Sequence, residues 1–136
     1  MDRSDIAFLS ASALASAIES KQVSPVEAVE AYLERIERID PKVNSYITVL
    51  YDDARRDAKS AEAEIQQGQH RGPLHGIPIA LKDQIHTKGI RTTDASKIRT
   101  DFVPEEDATV VVNLKKAGAI ILGKLNMSEF ALGDPQ

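Results

Sequence analysis

Apolar residues recur at helical spacing in four stretches of this chain and cluster without a helical period in three shorter ones. In residues 11–20, Leu14, Ala17 and Ile18 fall at i, i+3 and i+4 with polar residues opposite, which predicts a short helix. A second helix is announced at Ser24-Pro25-Val26-Glu27. Ser24 can cap, Pro25 suits the first helical position, and Glu27 can close a capping box. Its inward positions are Val26, Val29, Leu33 and Ile36, and Pro41 is expected to end it near Asp40. A third helix, capped by Asp52 or Asp53, aligns Ala54, Ala58, Ala61 and Ile65 on one face and stops at Gly68. A fourth, capped by Asp107, turns Val110, Val111 and Leu114 inward and ends at Gly118.

Between the helices lie short runs with strand character. Residues 45–50 are apolar and β-branched, Ile77, Ile79, Ala80 and Leu81 are too apolar for a surface loop, and residues 119–122 are continuously apolar. Helix, strand, helix, strand is the order of an α/β domain with a parallel or mixed sheet. Residues 84–106 are polar and without sustained period, long for a loop in a compact domain and so functional or disordered. Asn126 to Phe130 can begin another helix, but barely one turn remains before Gly133-Asp134-Pro135-Gln136. A helix just begun after a buried strand is the pattern of a domain cut rather than finished.

Composition narrows the function classes. The chain has 136 residues, 42% hydrophobic and 28% charged, enough for one domain with a core. Aromatics are only 4%, so the core rests on Ala, Val, Ile and Leu. Net charge is −4 with no basic block, which argues against nucleic-acid binding. No cysteine is present, no apolar run reaches membrane-spanning length, and the first residues lack a signal-peptide pattern, so a cytoplasmic location is expected. No cofactor is expected.

The segment Gly72-Pro-Leu-His-Gly-Ile-Pro-Ile-Ala-Leu-Lys-Asp83 carries the first candidate chemistry: turn residues lead into a buried strand that delivers Lys82 at its end. Two readings stand. The amine reaches water or pairs with Asp83; or it is buried, loses solvation, and becomes a neutral base near pH 7. Gly118-Ala-Ile-Ile-Leu-Gly-Lys-Leu125 has phosphate-loop spacing until its last position, where Leu125 replaces the required Ser or Thr; helix end, strand and turn is the better account. His70, His75 and His86 match no metal spacing and read as solvated loop histidines. Asn126-Met127-Ser128 fits a glycosylation sequon that, without a secretion signal, reads as chance. Thr92, Thr93 and Ser96 cluster after a buried strand, where hydroxyls either form turns or line a pocket.

Four collinear blocks carry a resemblance: Gly72 to Asp83, Val103-Pro-Glu-Glu-Asp-Ala-Thr109, Gly118 to Lys124, and Asn126-Met-Ser-Glu-Phe-Ala131. In this order and spacing they resemble the amidase signature family, which includes small-amide hydrolases and the A subunit of glutamyl-tRNA amidotransferase. The Ser24-Pro25 helix start and Val43-Asn-Ser-Tyr46 resemble its N-terminal region. The resemblance implies a helical region over residues 1–70 and, over 71–136, the first part of a mixed α/β/α sheet, together one partial domain. It implies hydrolysis of carbon–nitrogen amide bonds by a Ser–Ser–Lys triad, in which Lys82 aligns with the lysine acting as general base. Met127, Ser128, Thr93 and Ser96 become candidates for binding a small amide substrate; no metal is implied. The family's Gly-Gly-Ser-Ser-Gly block and its nucleophile segment lie C-terminal to every residue present, and no Gly-Gly-Ser occurs here. Gln84 stands where Asn is usual, Asp94-Ala95 where Ala-Gly is usual, and Leu125 where Thr is common.

Three expectations follow for the chain alone. It is the lysine-bearing part of an amidase, inactive by itself; or a shortened binding module that self-associates through strand edges and apolar helix faces; or a minimal Ser–Lys hydrolase with Ser96 or Ser128 as nucleophile.

Overall fold

The computed structural model describes residues 3–133, with side chains from Asp5 onward. The chain is a mixed α/β fold, as its alternation of periods predicts. Helices α1 (Arg3–Ile6), α2 (Ala11–Glu19) and α3 (Pro25–Val43) lead to strand β1 (Tyr46–Val49) and helix α4 (Tyr51–Gln66). Strand β2 (Pro78–Lys82), a 3-10 turn at Lys97–Arg99, helix α5 (Thr109–Lys116), strand β3 (Ile120–Leu125) and a second 3-10 turn at Glu129–Ala131 follow.

The capping signals act as their chemistry requires, with three exceptions. Ser24 Oγ accepts the Glu27 N–H at 3.1 Å, and Glu27 Oε2 accepts the Ser24 N–H at 2.8 Å, a complete capping box. Helix α3 does not stop at Asp40. It runs through Pro41 to Val43, because the hydrogen bond Pro41 forgoes would have ended on the exposed Glu37 carbonyl, which water can serve. The helix closes at Asn44, whose φ of 51° is left-handed. Helix α4 is capped by Leu50 rather than by Asp52 or Asp53, which sit in its first turn and favour the helix dipole instead. Asp107 does not cap α5; its carboxylate is taken by the Lys88 N–H and Lys115 Nζ, both at 2.7 Å.

Strand β3 is central in the order β1-β3-β2, antiparallel to β1 and parallel to β2. Ile120 and Leu122 face α3 and α4, where Val29 and Leu33 meet the small stripe Ala54, Ala58 and Ala61. Ile121 packs with Leu81 and Val111 on the other face. Of the three α5 residues expected inward, Val111 is buried and Leu114 half-buried, but Val110 is exposed. Residues 119–122 are not followed by a turn. The strand continues through Gly123 and Lys124 to Leu125, so the phosphate-loop spacing is a helix end joined to a full strand. Gly123 is required there: a Cβ would lie 2.3 Å from the Thr48 carbonyl on β1. The helix expected from Asn126 is only the 3-10 turn at Glu129–Ala131. The end of the expected closing turn, from Asp134, lies outside the described residues.

Candidate functional site at the carboxyl edge of the sheet

Lys82 ends β2 and pairs in register with Leu125, the last residue of β3. The segment Asn126-Met127-Ser128 therefore leaves the sheet at the edge where Lys82 stands. That is the edge at which open α/β sheets place ligands. Met127 and Ser128, with Ala95, Asn126, Glu129 and Leu132, line a cavity of about 420 Å³. Lys82 itself is exposed. It forms no ion pair among the described residues, and Asp83, its neighbour, is wholly buried and turned elsewhere.

The buried amine of this edge belongs to Lys124. The register of β2 on β3 slips between Ile79 and Ala80, which pair with Ile121 and Gly123, leaving Leu122 as an extra residue. Plain alternation would put Lys124 on the face of Leu122, toward α3 and α4. The bulge instead sets it opposite Leu81, on the other face. Its Nζ donates to the Ile85 carbonyl at 2.8 Å and to Thr92 Oγ1 at 2.7 Å, and lies 3.5 Å from Asp83 Oδ1. Burial holds the pKa of Lys124 below the ordinary lysine value, and Asp83 opposes that shift.

The hydroxyls after β2 are committed to this interior. Thr93 donates both its N–H, at 2.9 Å, and its Oγ1–H, at 2.5 Å, to Asp83 Oδ2. Thr92 Oγ1 donates to the Ile90 carbonyl. Ser96 Oγ donates to Glu129 Oε1 at 2.6 Å and accepts the Ile98 N–H. Of the residues expected at the substrate, Thr93 is hydrogen-bonded to Asp83 and Ser96 to the cavity-lining Glu129, while Met127 and Ser128 line the cavity themselves. Asp94 and Ala95 both adopt positive φ, 53° and 54°, where the resembling family has Gly at the second position. Asp94 forms an ion pair with Arg99, which stacks on Phe102 at 4.1 Å, and its carbonyl accepts the Phe130 N–H at 2.9 Å.

At the opposite edge, His75 departs from the solvated histidine expected. It is buried, its Nδ1 accepts the Arg71 N–H at 3.1 Å, and its Nε2 faces Glu64 Oε2 at 3.3 Å. Burial lowers its pKa; Glu64 pulls the other way. No grouping of three or more His, Cys, Asp or Glu able to hold a metal occurs among the described residues. No described helix is long and apolar enough to cross a membrane.

Lys124 and His75 are the residues that reading the chain as a sequence missed. The signal for Lys124 was its place in the apolar run 119–125, which reads as strand to its end once Gly123 is taken as a point of close backbone approach.

Comparison with known proteins places these features in a family. The family model described as Amidase matches residues 27–134. The A subunit of the glutamyl-tRNA(Gln) amidotransferase from Geobacter metallireducens is 55% identical over 116 residues, covering 85% of this chain and 24% of the relative. Its counterpart from Carboxydothermus hydrogenoformans is 43% identical over 129 residues, with 95% and 27% covered. Among solved structures, the peptide amidase from Stenotrophomonas maltophilia superposes with a TM-score of 0.87 at 34% identity, covering 93% of this chain and 26% of that one. The chain thus spans about a quarter of the length of the relatives it matches.

Proposed function

Since this chain belongs to the amidase family, we propose that it forms the lysine-bearing part of a site that hydrolyses a carbon–nitrogen amide bond, with Lys82 as general base. The observation that supports the reading is the register of Lys82 on Leu125, which ends β2 at the sheet edge from which Met127 and Ser128 continue to line a cavity. In the proposed reaction the Lys82 amine takes a proton from a bridging serine. That serine takes the proton of a second serine, whose oxygen attacks the amide carbon. The tetrahedral intermediate then collapses, the C–N bond breaks, and the proton returns to the leaving nitrogen, leaving an acyl–serine ester; water, giving up its proton along the same path, attacks that ester, and its collapse releases the acid and returns the proton to the serine. Met127 and Ser128 bound the substrate, a small amide, in the cytoplasm. The two serines and the oxyanion-stabilising amides fall in the part of the relatives that this chain does not span. A base lysine works as the neutral amine, which desolvation favours. Lys82 is exposed here, so its cover has to come from that same part of the fold.

The test is hydrolysis of a chromogenic anilide by the purified chain, alone and co-expressed with the complementary remainder of an amidotransferase relative, each beside Lys82→Ala. Turnover only in the reconstituted pair, lost in Lys82→Ala, supports the reading. Turnover by the chain alone that survives Lys82→Ala overturns it.

A second reading has an observation of its own. Val110 and Val112 on α5 are 47% and 50% exposed, and β2 pairs on one side only among the described strands. Such surfaces favour self-association as a binding module. A monodisperse monomer by light scattering across a dilution series would exclude it.

A further inference from the structure

The chemistry proposed for Lys82 makes no use of Lys124 and Asp83, although both are wholly buried. A charge pair retained for stability is short and fully satisfied, because its desolvation is costly. This pair is 3.5 Å apart, and Asp83 Oδ1 has no hydrogen-bond partner among the described residues. The closer bonds of both residues go to the chain that follows Lys82: Lys124 to Ile85 and Thr92, Asp83 to Thr93.

Those contacts reach the site from two sides. The Ile85 N–H closes a turn on the Lys82 carbonyl at 2.9 Å, so the anchored Ile85 carbonyl fixes the turn that carries Lys82. The Asp94 N–H bonds the Asp83 carbonyl at 3.2 Å, and Thr93 Oγ1 accepts the Ala95 N–H at 3.1 Å. Ala95 then lines the cavity with Met127 and Ser128. The bulge in β3 exists at a cost in regular pairing, and its effect is to aim Lys124 at this loop rather than at the helices.

We propose that Lys124 and Asp83 are positioning residues, which together fix residues 83–95 so that Lys82 and the wall of the adjoining cavity hold one geometry. The proposal rests on Lys82 being the base. It requires that loop order can be lost without loss of global stability, which a purely stabilising pair would not allow.

The experiment is hydrogen exchange by mass spectrometry on the full chain, beside urea unfolding, for Thr92→Val and for Lys124→Met combined with Asp83→Asn. The double variant removes both charges and keeps an acceptor for Thr93. Thr92→Val keeps the charges and removes one anchor, and it decides the matter if the double variant does not fold. The expected result is exchange in residues 92–96 faster by about tenfold with little change in the exchange of α3 and β3. Loop exchange that merely follows global stability in the variants that fold overturns the proposal. In the reconstituted enzyme the double variant lowers kcat about tenfold with KM nearly unchanged, as expected when a base is misplaced but binding persists. An unchanged kcat with a loosened loop overturns the proposal while leaving Lys82 as base. Failure of reconstitution counts against the reading of Lys82, and the exchange result still decides whether the pair orders the loop.

Discussion

Replacing each of the two lysines at the sheet edge by alanine separates a chemical role from a structural one. Lys82 is exposed and unpaired among the described residues, so Lys82→Ala should change stability by no more than about 0.5 kcal/mol. Lys124 has no exposed surface, donates to Ile85 and Thr92, and faces a buried carboxylate. Lys124→Ala removes the hydrogen bonds and strands Asp83 without its cation. Breaking a buried pair from one side costs about 3–5 kcal/mol. Against a total of about 5–15 kcal/mol for a small domain, that is a large fraction. It corresponds to a fall in thermal midpoint of about 10–20 °C at this chain length. Urea unfolding followed by circular dichroism reads the difference directly. Adding Asp83→Ala to Lys124→Ala should cost less than the sum of the two single changes, since each single change strands the other charge, with a coupling energy of about 0.5–3 kcal/mol. Equal, small losses for Lys82→Ala and Lys124→Ala would refute the reasoning, because they would place both amines in water. A stable but inactive Lys82→Ala in the reconstituted enzyme would show that its defect is one of chemistry.

Three further outcomes are expected. Ala95→Gly should stabilise the chain by about 1 kcal/mol, because Ala95 sits at a φ of 54° where a side chain is penalised; a thermal midpoint unchanged or lowered contradicts this. Gly118→Ala should destabilise by about 2–5 kcal/mol in urea, combining a φ of 83° with a Cβ 2.4 Å from the buried His75 ring. His75 has its folded pKa below the ordinary value of 6.5, so the unfolded chain takes up the proton first. Stability is therefore complete above about pH 6.5 and declines as the pH falls toward the folded value, then levels; thermal midpoints between pH 7.5 and 5 should show this slope, and His75→Gln should flatten it.

Most of the fold was legible because it rests on local chemistry. The period of Leu14, Ala17 and Ile18, the Ser24–Glu27 box and the small stripe Ala54, Ala58, Ala61 each determine an element within a few residues of sequence. The errors arose where a local preference met a tertiary demand. Pro41 disfavours helix, but its missing hydrogen bond falls on the carbonyl of Glu37, an exposed residue, so α3 continues. Asp107 suits a helix cap, but Lys88 and Lys115 compete for its carboxylate and win. Val110 has helical spacing with Leu114, yet only Val111 reaches the sheet from the first turn of α5.

The site was legible in a different measure. Resemblance pointed to Lys82, and the register of β2 on β3 pairs that residue with Leu125, at the edge from which Asn126, Met127 and Ser128 leave the sheet. Sequence alone could not tell which lysine is buried, because the answer depends on one extra residue in β3. Strand alternation carries the expectation that residues 120, 122 and 124 share a face. The slip at Leu122 breaks that rule once and sends Lys124 to the loop side. The same slip leaves Asp83 committed to Lys124 and Thr93, so the carboxylate next to Lys82 in sequence is not its partner in space.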